Sequence, residues 1–515
     1  MTVAITTVDA QRRMDRRTSA VMYLVVLLVS GVLGVITLSS TPQPFALPLT
    51  MLLLSAILVT ARPVAGLYLI GFFAFVTDTA VSPWYPFTWN LSSRDSILYI
   101  NNALYVSPFE ILLILTMASW LLRVWLDPAS PALVRGRLLR PILVFTGFVV
   151  VGFVYGVGTG GQRYAAVWEA RPLFYLPALY LLVTNLFTRR SQYRRLLVVI
   201  AVALVLNALF AMQYYSTLSA TDRHGLESLV AHTTAVQMNV VLFIAIAAWL
   251  IPKAPTSVRW LVPLAAAPIA WAWLVSQRRA AVVALAAAFI LLAALLCKLN
   301  RRAIVRAGPI VLLALVGYLG AFWHSEGTLG FPAQALKAVI APGQISQTDR
   351  DSDLYRTIEN FDLSATIHAK PLTGLGFGKP FYRPVALPDI SFYPFFEYIS
   401  HNSILWMWIK VGIGGFVAML FMIGATIRKG TSELVQLDDG RDMVTVLAGL
   451  SFVVMFIVFA YVDIAWDYRD MIGLAFSMAL CGDYTRLPQD RAAPRPAMRR
   501  EEPSSRRPRE LSVVS

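Results

Sequence analysis

Continuous apolar runs dominate this chain, and they leave it few folds to choose from. Fourteen can be read, at about residues 21–38, 45–61, 63–78, 107–126, 139–157, 171–187, 195–215, 232–251, 257–276, 279–298, 304–323, 401–426, 442–461 and 469–482. A helix needs about 20 apolar residues to cross a hydrocarbon core roughly 30 Å thick. Inside lipid each backbone N–H and C=O must find its partner within the protein, which leaves helices or closed barrels. The runs are unbroken and lack the alternation of a membrane barrel. The sequence therefore predicts an all-α polytopic membrane protein with about 12–14 transmembrane helices. Composition agrees, with 57% hydrophobic and only 14% charged residues, against roughly 25% charged in a soluble domain.

The net charge of +15 would suggest nucleic acid in a soluble protein. In a membrane protein Lys and Arg mark the cytoplasmic loops instead, so no nucleic-acid partner is expected. With the N-terminus inside, beside Arg12, Arg13, Arg16 and Arg17, every second loop is basic. These loops hold Arg62; Arg135, Arg137 and Arg140; Arg189, Arg190, Arg194 and Arg195; Lys253 and Arg259; Lys298, Arg301, Arg302 and Arg306; and Arg428 and Lys429. The tail after Cys481 is basic too, so both termini are expected in the cytoplasm. Five stretches follow: a polar, basic lead-in at 1–20, transmembrane helices 1–11 at 21–323, a large extracytoplasmic loop at 324–400, transmembrane helices 12–14 at 401–482, and a disordered basic tail at 483–515. The first apolar run reads as a retained helix rather than a cleaved signal. Cys297 and Cys481 fall near cytoplasmic helix ends, where a structural disulfide is not expected.

Arginines on the outside depart from this charge rule and call for a reason. Arg163 and Arg171 flank the outer end of the sixth run, Arg278 and Arg279 share a tight outer turn, Arg350 and Arg356 lie in the large loop, and Arg469 opens the last run near Asp463 and Asp467. A guanidinium is a planar, permanently charged fork suited to phosphate oxygens. Several of them near the outer face could hold a pyrophosphate head group. Each could equally anchor at the interface or pair with an acid such as Glu169. Two cations in a turn as short as Arg278-Arg279 repel one another unless an anion is present.

The stretch EYISHNSILWMWIKVGIGG, residues 397–415, puts His401 at the mouth of an apolar helix. The positive end of a helix disfavours imidazolium, so a neutral, proton-accepting ring fits there. Asn402 and Ser403 suit the cap, and His401 could itself be no more than a polar capping residue. The other histidines are scattered without metal-ligand spacing. Asp349, Asp351 and Asp353 alternate in TDRDSD, as a solvated acidic turn or a metal-binding acidic motif. KPLTGLGFGKPF, residues 370–381, lacks the Walker spacing, and its glycines would let a loop turn sharply or approach a ligand closely.

Arg356, then Pro371-Leu-Thr-Gly374-Leu-Gly376-Phe-Gly378, then His401-Asn402 with Gly412-Ile-Gly414-Gly415 resemble, in that order, the O-antigen ligase and O-antigen polymerase family. Ser276-Gln-Arg278-Arg279 resembles that family's upstream turn, and the resemblance covers about residues 270–425. Lys410 departs from it, at a position that is often acidic or neutral. The resemblance implies a GT-C-like membrane glycosyltransferase in a bacterial cytoplasmic membrane. Its donor would be a glycan on polyprenyl pyrophosphate, and its acceptor a sugar hydroxyl on a lipid or another lipid-linked glycan. It implies His401 as general base and Arg279, Arg356 and Arg171 as pyrophosphate ligands, backed by Arg278 and Arg163. Asn402 would orient or cap, and Gly374, Gly376 and Gly378 would shape the loop. No cofactor and no metal are required. Ligase and polymerase stay equally open, and a transporter or flippase of lipid-linked glycans is the alternative of another class.

Overall fold

A computed structural model describes residues 46–78, 81, 90–93, 105–126, 133–224, 228–325, 327–341, 343, 347–388 and 395–489. The lead-in 1–20, the first apolar run and the tail beyond residue 489 lie outside the described residues. Within them the protein is all helical, without a strand. Every apolar run that falls among the described residues is a helix. In chain order these are α1 (Ala46–Ala61), α2 (Pro63–Val76), α3 (Pro108–Leu126), α4 (Leu139–Gly158), α5 (Arg163–Ala170), α6 (Tyr175–Leu186), α7 (Arg190–Thr217), the short α8 (Ala220–His224), α9 (His232–Leu250), α10 (Thr256–Ser276), α11 (Arg279–Leu299), α12 (Arg301–Phe322), α13 (Phe331–Ile340), α14 (Gln347–Ala369), α15 (Ser403–Val435), α16 (Gly440–Val462) and α17 (Tyr468–Asp483). Eight of them, α3, α4, α7, α9, α10, α11, α15 and α16, are long and apolar enough to cross a membrane, and shorter apolar stretches occur in α1, α2 and α12. This is a polytopic membrane protein.

The helices sort by burial. α17 is buried from Arg469 to Asp483, and α16 along most of its length. Both are apolar on every side, which suits a post inside a bundle. α12 is the opposite: Ile310, Leu312 and Leu313 are more than half exposed. In a bilayer such a face meets lipid tails as apolar as itself.

Polar contacts between helix ends fall into two separate sets, as strict alternation of spans requires. At one end Arg137 pairs with Glu433, Arg190 and Arg194 with Asp442, and Tyr180 donates to Asp483. At the other, Arg171 pairs with Glu110, His232 with Asp463, and Thr234 donates to Asp78. Arg469 belongs to this second set and clasps Asp467 at 3.2 Å, the Thr77 carbonyl and the Thr234 hydroxyl.

The stretch 324–400 is not loop throughout. It contains α13 and the 23-residue α14. TDRDSD therefore lies on a helix and is not an acidic turn. Residues two apart on a helix face different ways, and Asp351 accepts from Gln347 while Asp353 meets Arg279.

Candidate functional site

The site begins with the cap of α15. Asn402 is the N-cap, and its side-chain oxygen accepts from Leu405 N at 3.1 Å. Ser403, the first helical residue, donates to the Asp463 carbonyl at 3.0 Å and accepts from Ala465 N at 2.8 Å. These bonds pin the start of α15 to the segment that leaves α16. His401 is thereby held just outside the helix, with its side chain 24% exposed.

Glu359 of α14 reaches His401 twice. It accepts from His401 N at 2.9 Å, and its carboxylate lies 3.3 Å and 3.4 Å from Nδ1. Glu359 is itself buried. One residue along, Asn360 accepts from the Asn402 amide at 2.9 Å. The Tyr355 ring stands nearly perpendicular to the imidazole, with centroids 5.4 Å apart. Burial and the Glu359 charge push the Tyr355 hydroxyl up to about 12, so it stays neutral.

The same helix supplies Arg356 and Asp353. Asp353 takes both nitrogens of the Arg279 fork, at 2.9 Å and 3.2 Å, and lies 3.7 Å from Arg356. A carboxylate on α14 thus answers the repulsion that Arg278 and Arg279 would feel in their turn, while Arg278 donates to the Ser228 hydroxyl at 2.8 Å. Arg279, Asp353, Arg356, Glu359, His401 and Asn402 line one cavity of about 220 Å³. Asp463 lies close behind, 2.9 Å from His232 Nδ1. Burial would raise its carboxyl, but His232, Arg356 and His401 together hold it below the usual carboxylate range.

Other residues singled out in the sequence stand elsewhere. Arg171 pairs with Glu110 at 3.2 Å and donates to Asn90. Arg163 is exposed in the first turn of α5. Gly374, Gly376 and Gly378 all have positive φ, at 65°, 82° and 78°. Added Cβ atoms there would come within 2.3–2.5 Å of Ile409 O, of Gly156 Cα and N, and of Gln162 O. These glycines approach backbone of other segments, not the cavity.

That glycine segment explains Lys410. α15 breaks at Gly412, where φ is 68° and ψ is 179°. The segment fits into the break: Leu375 N donates to Ile409 O at 2.7 Å and Ile413 N to Leu372 O at 3.2 Å. Lys410, 1% exposed, contacts Glu169 at 2.6 Å and donates to the Lys379 carbonyl at 2.7 Å. Glu169 accepts from Gly378 N at 2.6 Å. The pair locks the segment to α5 and α15.

Glu359 was missed in the sequence, and Glu169 was named there only as a partner for an outer arginine, whereas it pairs with Lys410. For Glu359 a faint signal existed. Glu359, Asp362, Leu363 and Thr366 form a buried stripe at helical spacing within a polar stretch.

Most of the residues that line the cavity fall within a stretch that is recognisable by comparison. The O-antigen ligase family model matches residues 264–420. Within that stretch the chain is similar to the O-antigen ligase family. A curated O-antigen ligase of Salmonella typhimurium strain LT2 is 30% identical over 182 residues, covering 31% of this chain and 45% of that relative. The matched part thus spans less than half of the relative's length. The family match takes in α11, α13, α14, the glycine segment and the start of α15, so it covers Arg279, Arg356 and His401.

Proposed function

We propose that the protein transfers a glycan from a polyprenyl-pyrophosphate donor to a sugar hydroxyl, on the outer face of a bacterial cytoplasmic membrane. The observation that carries this reading is the convergence of His401, Glu359, Arg279 and Arg356 on one cavity. With Nδ1–H donating to the Glu359 carboxylate, Nε2 is the accepting nitrogen. It takes the proton of the acceptor hydroxyl as the hydroxyl oxygen bonds to the anomeric carbon. The bond from that carbon to the pyrophosphate oxygen breaks, and polyprenyl pyrophosphate leaves with the electron pair. Arg279 and Arg356 stabilise the charge that grows on the leaving group. Asp353 holds the two guanidiniums in place before the donor arrives.

The remaining assignments belong to the same reading. Both termini and the basic loops face the cytoplasm, and the segment 324–400 faces outward. Arg171, Arg163 and Arg278 lie away from the cavity lining, so their part is to hold outer segments or a distal portion of the donor. The chemistry needs no metal, because the arginines carry the leaving-group charge. Ligase and polymerase differ only in the acceptor, and this geometry is compatible with both.

One observation favours a second reading, a transporter of lipid-linked glycans. α15 is broken at Gly412 beside the buried Lys410, and transporters place such breaks at their substrate sites. Here Leu372, Lys379 and Glu169 occupy the groups at the break, which weighs against it. The test is transfer by purified protein from a lipid-linked oligosaccharide to an acceptor glycolipid, with EDTA in parallel. Transfer that persists in EDTA and falls about 10²–10⁴-fold in His401→Ala supports the enzyme reading. Movement of the lipid-linked glycan across vesicles without any transfer would replace it with the transporter.

A further inference from the structure

A second cavity lies at the opposite end of the bundle from His401. It has a volume of about 340 Å³ and runs between α7, α9, α10, α16 and α17. Its walls are mostly apolar, with Leu197, Leu204, Val241, Val262 and Phe452 among them, and Gln237, Thr445 and Ser477 the polar exceptions. Val198 lines it and is 63% exposed, so the cavity opens sideways on the outer face of α7. At one end stand Arg194 and Arg441. Arg194 and Arg190 share the Asp442 carboxylate at 3.1 Å and 2.6 Å, and Asp439 caps α16 by accepting from Arg441 N at 2.9 Å. The Arg441 side chain is exposed at the mouth.

We propose that this cavity binds one acyl chain of an anionic phospholipid, with its phosphate at Arg441 and Arg194. Three features select that occupant. From Arg194 to Leu204 along α7 is about 15 Å at 1.5 Å per residue, which is the depth of one leaflet in a hydrocarbon core of roughly 30 Å. The mostly apolar walls suit a chain better than a sugar, which would find only Gln237, Thr445 and Ser477 there besides the arginines. The two guanidiniums sit only at the polar end, where a phosphate would lie. The cavity is distinct from the one at His401, because Arg441 starts α16 while Asp463, beside Ser403, follows its far end.

The test uses full-length protein, delipidated in detergent and titrated with phosphatidylglycerol, phosphatidylcholine or a polyprenyl phosphate, with bound lipid counted by native mass spectrometry. The wild type is expected to retain phosphatidylglycerol over phosphatidylcholine. Arg441→Gln should weaken phosphatidylglycerol about fivefold, the worth of one basic residue near a lipid phosphate. Ala201→Phe fills the cavity and should abolish retention of both phospholipids while monodispersity and melting temperature are kept. Should that variant fail to fold, the wild-type preference and Arg441→Gln decide alone. No preference for the anionic lipid, unchanged binding by a folded Ala201→Phe, or tighter retention of the polyprenyl phosphate would each overturn the proposal.

Discussion

α15 carries two charged neighbourhoods about 13 Å apart along its axis, and they are built in opposite ways. Around His401 the side chains are partly open and line a cavity: His401 is 24% exposed and Arg356 29%. Around Lys410 nothing is open. Its ammonium and the Glu169 carboxylate are 1% and 0% exposed, and their neighbours belong to the protein. A charge in a membrane helix is a candidate for function by default. The comparison shows what divides the cases: Lys410 meets only protein groups, whereas His401 and the arginines keep a face toward empty volume.

Breaking each neighbourhood should have its own signature. The largest effect is expected at the closed one. Glu169→Ala strands a buried ammonium and should cost about 3–5 kcal/mol, read as a large drop in melting temperature in detergent with loss of activity. Glu169→Leu combined with Lys410→Met should recover much of that stability, since two apolar residues can replace a buried pair at little cost. If the double variant melts as low as Glu169→Ala, the pair does more than close the break. Next in size, Arg279→Ala or Arg356→Ala should lower glycan transfer about 10²–10³-fold while the melting temperature changes little. A fall in stability without a change in kcat would move these arginines into the structural group.

Glu359→Gln tests whether His401 is oriented by its neighbour. The amide keeps the shape but loses the charge that holds Nδ1–H, and a fall of about 10–100-fold in kcat is expected. An unaltered kcat in Glu359→Gln would remove Glu359 as the group that orients His401. The smallest effect concerns Asp463, whose carboxyl is held below its ordinary range by His232, Arg356 and His401 despite burial. A depressed folded value gives stability that is present above the unfolded value, about 3.9, and is lost as pH falls through the folded one. The melting difference between wild type and Asp463→Asn should therefore be full near neutrality and narrow on acidification below about pH 4. A constant difference down to that range would mean the charge of Asp463 contributes nothing.

Much of the helical frame was readable in advance because its causes are local. An apolar run needs no distant partner to become a helix in lipid, and Asn402 caps α15 through a bond to Leu405 N three residues away. α14 escaped because its helix is polar. Its burial comes from packing against α15, and a hydropathy scan does not see that. The partners of the charges escaped for a plainer reason. Lys410 meets Glu169 from far upstream, Arg171 meets Glu110 and not Glu169, and His401 meets a glutamate 42 residues earlier.

By itself, then, the sequence determined that this chain is a many-helix membrane protein, where most of its helices begin and end, and which histidine and arginines merit attention. Those follow from hydrophobicity, loop charge and capping, which act over a few residues at a time. Only the tertiary structure decided that Arg279, Arg356, Glu359 and His401 share a cavity while Lys410 and Glu169 seal a break. The reason is that an ion pair or a cavity is made by helices brought together from distant parts of the chain, and their depth and partners exist only once the bundle has packed.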